Sequence, residues 1–161
     1  EEEYNMVMEM YLGTDDMQEK KYPLNVLGST QIDSLKIKTL EFGLRDPEVK
    51  LQDFFYPIGS VSKDLKGVTM AWQFFKDNFK EFEDKVAKAN SSLMDAVIQF
   101  SCMRFITKEA ADDITTFFEE HPMPRNSLKI KQSTEYIKTN AKFLGYMKNS
   151  QLAQPGFFSG H

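Results

Sequence analysis

Apolar side chains in this chain recur at three- and four-residue intervals from one end to the other, with no credible run of the strict alternation that a strand requires. That period commits the chain to helices, each with one face to bury. Tyr4, Val7, Met8 and Tyr11 open the series at i, i+3, i+4 and i+7. A second segment starts at Asp16-Met17-Gln18-Glu19, whose two acids three residues apart form a capping-box pattern. Ile32, Leu35, Leu40 and Phe42 outline a third helix, and a fourth is expected from near Asp53. Pro23 and Pro57 should kink or shorten the second and the fourth. Glycines stand at Gly13, Gly28, Gly43 and Gly59; the first three are expected to end helices, because the left-handed C-terminal position carries no Cβ penalty for glycine.

Longer segments follow. Asp64 precedes a helix that should carry Val68, Trp72, Phe75, Phe79 and Phe82 on one stripe, better read as core than as a ligand groove. Asn90-Ser91-Ser92 caps a run through Leu93, Val97, Phe100 and Arg104, and Thr107 precedes Ala110, Ile114, Phe117 and Phe118. His121-Pro122-Met123-Pro124 stops that helix. The last helix, from about Asn126 to Met147, places Ile130, Thr134, Ile137, Ala141 and Leu144 on one face. The expected fold is therefore all-α: about eight antiparallel helices in pairs, an α-solenoid of HEAT or armadillo type in preference to a closed bundle. Residues 1–149 form the helical-repeat domain and residues 150–161 a polar tail.

Composition narrows the function classes. With 161 residues, 41% of them hydrophobic, the chain fits one ordinary domain and carries too much aromatic surface for disorder. A net charge of −4 argues against a dedicated nucleic-acid binder. The acids cluster at the start, with Glu1, Glu2, Glu3, Glu9, Asp15, Asp16 and Glu19 set against Lys20 alone, and are read as a solvated face. No apolar run is long enough to span a membrane, and no export signal is present. The chain opens without Met inside a helical pattern, as a piece of a longer protein would.

Chemistry-bearing residues are scarce. Two His and one Cys are too few for a closed zinc site, a disulfide framework or a redox pair. The pattern H-E-x-x-H, which sets two imidazoles one turn apart facing a metal, is absent: His121 and His161 are far apart in sequence, and His121 suits a helix C-terminus. Cys102, between Phe100 and Phe105, reads as a buried inert thiol. The only close glycine pair, Gly156 and Gly160, lies in the tail and forms no phosphate loop. The pairs Asp15-Asp16 and Asp112-Asp113 are read as helix-start acids. Lys76, Lys80, Lys85 and Lys88, alternating with Asp77, Glu81, Glu83 and Asp84, read as a solvated, ion-paired surface.

Several stretches, in order, carry a resemblance. Ala71-Trp72-Gln73-Phe74-Phe75-Lys76-Asp77-Asn78-Phe79 resembles the A-W-x-F-x-x-x-N-W/F segment in the C-terminal domain of zinc aminopeptidases of the puromycin-sensitive and endoplasmic-reticulum types. Leu27-Gly28-Ser29-Thr30 is similar to that family's A-L-G-x-T turn, and Val49-Lys50-Leu51-Gln52-Asp53 to its V-R-x-Q-D segment. Phe117-Phe118-Glu119-Glu120-His121-Pro122-Met123-Pro124 resembles its F-F-x-x-H-P-x-P helix stop, and the run from Glu135 to Leu144 its E-x-I-x-x-N-x-x-W-L segment. Lys50 stands for the usual Arg, and Phe79 and Phe143 for Trp.

The likeness spans roughly residues 4–148 and implies a helical domain that bounds the substrate chamber of a much larger enzyme. By the resemblance, zinc, the H-E-x-x-H ligands and the G-x-M-E-N motif belong to the catalytic domain of the parent chain, and no cofactor or catalytic residue to this part. The implied partners are that catalytic domain and peptide substrates, with no nucleic acid and no membrane, and the implied compartment is cytoplasmic. Lys50, Gln52 and Asp53, polar residues clustered at the start of an apolar helix, are the first candidates for facing the chamber, with helix capping by Asp53 and mere exposure of Gln52 the competing reading; Gln99 and Arg104, inside an otherwise apolar helix, come second. A free-standing helical-repeat module holding a partner peptide is the alternative.

Overall fold

The computed structural model describes residues 1–87 and 89–151. Among them nine α-helices follow one another, with no strand: α1 (Glu2–Leu12), α2 (Met17–Val26), α3 (Asp33–Arg45), α4 (Phe55–Val61), α5 (Leu65–Asp77), α6 (Phe79–Val86), α7 (Ser91–Cys102), α8 (Lys108–Glu120) and α9 (Ser127–Lys148). Short 3-10 turns at Leu27–Ser29 and Pro124–Asn126 lead into α3 and α9. The helices divide between two compact units, Glu1–Arg104 and the part beginning at Phe105.

Helix starts follow local chemistry. The side chains of Asp16, Asp64, Asn90 and Thr107 each accept a hydrogen bond from a first-turn amide of α2, α5, α7 and α8, satisfying donors that have no partner within the helix. The box at α2 is half made. Asp16 accepts from Gln18 and Glu19, whereas the Glu19 carboxylate accepts from the Thr14 hydroxyl at 2.7 Å instead of reaching back to Asp16. Asp112, by contrast, lies in the second turn of α8 and pairs with Lys108 and Lys138, so it does not mark a helix start.

In the first unit the short α4 is the hub: α2, α3, α5, α7 and the turn Leu27–Ser29 all pack on it. The expected glycine roles change here. Gly13 ends α1 in a right-handed conformation, φ −83°, and α3 runs past Gly43 to Arg45. A Cβ on Gly43 would sit 2.7 Å from the Cβ of Pro57, and one on Gly28 2.4 Å from Cγ2 of Val61. These glycines let backbones approach α4, and close approach replaces helix termination as their reason. Neither proline breaks its helix. Pro57 sits in the first turn of α4, where its missing N–H has no intrahelical partner to lose, and Pro23 is buried within a continuous α2.

The expected single helix from Asp64 through Phe82 is two helices. Asn78 interrupts it, with φ −116° and ψ 19°, its side-chain amide donating to the Phe74 carbonyl at 2.8 Å. The Arg45 guanidinium holds the break from α3, donating to Asn78 Oδ1 at 2.5 Å and to both Glu81 carboxylate oxygens. A side chain that satisfies a helical carbonyl offers the backbone an exit from the helix. The bend lets Phe82 fold onto Phe75, ring centroids 5.4 Å apart, and onto Phe54 at 6.1 Å. With Trp72 stacked on Phe75 at 5.4 Å, the stripe is core. Lys85 leaves the solvated set. It donates to the Leu44 carbonyl at 2.5 Å, lies over the Phe54 ring, and burial pushes its pKa down. Lys88 lies outside the described residues.

In the second unit α8 packs against α9. His121 closes α8 as expected: its amide donates to the Phe117 carbonyl and its ring stacks on Phe117 at 4.4 Å. Ser133, Thr134 and Ile137 are the buried residues of α9. His161 and the tail from residue 152 lie outside the described residues.

Candidate functional site

After α3 the chain descends to α4 through a succession of tight turns. Asp46 Oδ1 accepts from the Glu48 amide at 2.9 Å, the Asp53 amide donates to the Lys50 carbonyl at 2.9 Å, and the Tyr56 amide donates to the Asp53 carbonyl at 3.0 Å. Val49 and Phe54 are buried at either end of this stretch, pinning it to the core, while Lys50, Leu51 and Gln52 stand out from it. Two of the five expected site residues are thereby displayed together on an anchored turn.

Asp53 behaves differently from both roles expected of it. It is 5% exposed, and its side chain does not cap α4, whose N-cap is Phe54 with no side-chain bond. Burial raises its carboxyl pKa, opposed by the Lys21 ammonium and by a hydrogen bond with the Gln52 side chain. Asp53 therefore holds Gln52 from beneath and does not itself present a charge to solvent.

Sequence reasoning missed the neighbours from α1 and α2. The buried Tyr11 hydroxyl donates to the Glu48 carbonyl at 2.7 Å. Its pKa is pushed up to about 12, first by burial and then by the carboxylates of Asp53, Glu48 and Asp46. Lys20 lies over the Tyr11 ring at 4.9 Å and 3.9 Å from the Glu48 carboxylate. Helical spacing marks Tyr11 as core but says nothing of where its hydroxyl points. The remaining candidates are elsewhere. Gln99 is half-buried in α7, and Arg104 is exposed beyond that helix's end, with no polar partner among the described residues.

A second buried cluster braces the same unit. Lys36, 1% exposed, donates to Asp64 Oδ2 at 2.8 Å and to the Gly28 carbonyl at 3.3 Å. Asp64 in turn accepts from the Gly67 amide at 2.7 Å, and the Lys36 bond followed by that amide holds its carboxyl below the usual range. Cys102 is buried with its thiol donating to the Ile98 carbonyl at 3.0 Å, the state of a structural cysteine. Among the described residues no three His, Cys, Asp or Glu side chains gather as a metal site, and no helix is long and apolar enough to cross a membrane. The residues present do not fit a catalytic zinc.

Among the described residues the chain is all-helical, with one braced polar turn between α3 and α4. The chain belongs to the ERAP1-like C-terminal domain family, which it matches over residues 1–139. It is 32% identical over 154 residues to Aminopeptidase M1-B of Oryza sativa subsp. japonica, an alignment covering 94% of this chain and 17% of that protein. It is 26% identical to the puromycin-sensitive aminopeptidase of Caenorhabditis elegans, over 89% of this chain and 16% of that one. Endoplasmic reticulum aminopeptidase 2 of Bos taurus is 25% identical over 88% of this chain and 15% of its own length. The chain thus spans about a sixth of the length of these relatives.

Proposed function

We propose that the chain is the non-catalytic C-terminal part of a zinc aminopeptidase that removes N-terminal residues from peptides, packing on the catalytic domain of its parent and walling the substrate chamber. The observation that carries this reading is the near-complete coverage of this chain against a sixth of each aminopeptidase. That ratio disfavours a free-standing binding module. Zinc belongs, on this reading, to the parent's catalytic domain. Lys50 and Gln52 face the chamber, with Asp53 as the buried support; their exposure on a turn pinned by Val49 and Phe54 supports this. Gln99 and Arg104 are secondary positions.

The helices of residues 1–149 form, in the same reading, antiparallel pairs of an α-solenoid of HEAT or armadillo type, with residues 150–161 a polar tail. Its support is that consecutive helices pack on each other, α1 on α2, α3 on α4 and α8 on α9. A cytoplasmic location rests on the likeness to the puromycin-sensitive type, and cell fractionation of the parent tests it. The chamber reading is tested by Lys50→Ala and Gln52→Ala in the full-length parent. The expected result is a changed preference for peptide length, read as kcat/KM over a series of lengths, with the shortest substrate least affected. Unchanged ratios across the series overturn it.

A further inference from the structure

The stretch from Glu48 to Asp53 crosses from α3 to α4 outside any helix. Among the described residues the amides of Glu48, Val49 and Asp53 donate to acceptors two or three residues back, bonds that shape the turns without fixing where the stretch lies against the core. The bond that ties its backbone to another helix is the one from the Tyr11 hydroxyl of α1 to the Glu48 carbonyl, at 2.7 Å. Glu48 immediately precedes the buried Val49, behind which Lys50 and Gln52 stand exposed.

Tyr11 is 2% exposed, its ring edge-on to Phe42 at 5.4 Å and under the Lys20 ammonium. A phenylalanine would fill that place equally well. What the hydroxyl adds is the bond to Glu48, without which a buried phenol would carry its desolvation uncompensated. Burial, and then the carboxylates of Asp53, Glu48 and Asp46, push its pKa up to about 12, so it remains a donor at any working pH. Lys20 of α2 reaches the carboxylate of the same Glu48 at 3.9 Å, so two helices grip one residue of the turn.

We propose that Tyr11 is a positioning residue: by holding the Glu48 carbonyl it sets where Lys50 and Gln52 stand, and through them the peptide lengths that the parent enzyme prefers. The inference rests on the reading that Lys50 and Gln52 face the chamber. Tyr11 itself touches no substrate.

Tyr11→Phe in the full-length parent keeps the ring and removes the one bond. Two measurements separate the brace from its consequence. In hydrogen exchange by mass spectrometry the amides of residues 48–56 should exchange about fivefold faster, the scale of one neutral hydrogen bond, while those of α8 and α9 keep their rates. Over a series of peptide lengths, kcat/KM should shift in the same direction as in the Lys50→Ala, Gln52→Ala variant and by no more than about fivefold, chiefly through KM, with the shortest substrate least affected. Adding Tyr11→Phe to that double variant should change the length preference no further, because the side chains it positions are gone. Unchanged exchange at residues 48–56 would overturn the brace, whatever faces the chamber. Faster exchange with an unaltered length preference, where Lys50→Ala with Gln52→Ala does alter it, would overturn the positioning role and leave the chamber reading standing. If the Lys50 and Gln52 substitutions also leave the preference unaltered, the chamber reading falls and the role of Tyr11 in the reaction falls with it. A further shift in the combined variant would show Tyr11 acting by another route and overturn the proposal.

Discussion

Asp53 is the residue at which burial most alters chemistry. Its native carboxyl binds a proton more tightly than in the unfolded chain, so the native state is favoured while that proton is held and loses ground as pH rises from about 3.9 through the raised native value. Asp53→Asn removes the ionisation. We expect its melting temperature at pH 7 to exceed that of the wild type by about 1–3 °C, with no advantage near pH 3, by differential scanning calorimetry. A gain that persists at acid pH would place the effect elsewhere. Nothing in the local sequence distinguishes this Asp from the capping Asp16 and Asp64, since both kinds precede an apolar helix. Burial decides between the roles, with Lys21, far off in sequence, the charge that acts on the buried carboxyl.

Four of the nine described helices, α2, α5, α7 and α8, begin where local chemistry says, while other boundaries depend on neighbours. The four side-chain caps were legible because an N-cap is satisfied within three residues. The end of α3, the break at Asn78 and the true roles of Gly28 and Gly43 were not, because each depends on a partner in another element. The Lys36 clamp joins three such elements: α3, the turn holding Gly28, and the start of α5. Lys36→Met keeps the buried stem and removes both bonds. We expect a loss of about 1–2 kcal/mol at pH 7 in urea denaturation, the lower end for a charged hydrogen bond because Asp64 is 38% exposed. Because Lys36 holds the Asp64 carboxyl low, that stabilisation exists above about pH 3.9 and fades as pH falls through the lower native value, so the two proteins should converge in acid. A gap independent of pH from neutral to strongly acid conditions would show that packing of Lys36 matters and its charge does not.

For the molecule as a whole, the expectation concerns what it lacks. The purified 161-residue chain, assayed with aminoacyl-aminomethylcoumarin substrates and added zinc, should give no turnover above buffer, and turnover that a chelator abolishes would contradict the non-catalytic assignment. Helical periodicity, cap chemistry and the scarcity of His and Cys already determined an all-α chain without its own metal motif, because those features act within a turn or two of helix or are matters of composition. The ordered motifs carried the family. Tertiary structure alone decided that glycines serve close approach to α4 and that Asp53 lies under Gln52. Each of those facts is a matter of distances in space between packed elements, and a pattern read along the chain holds no such distance.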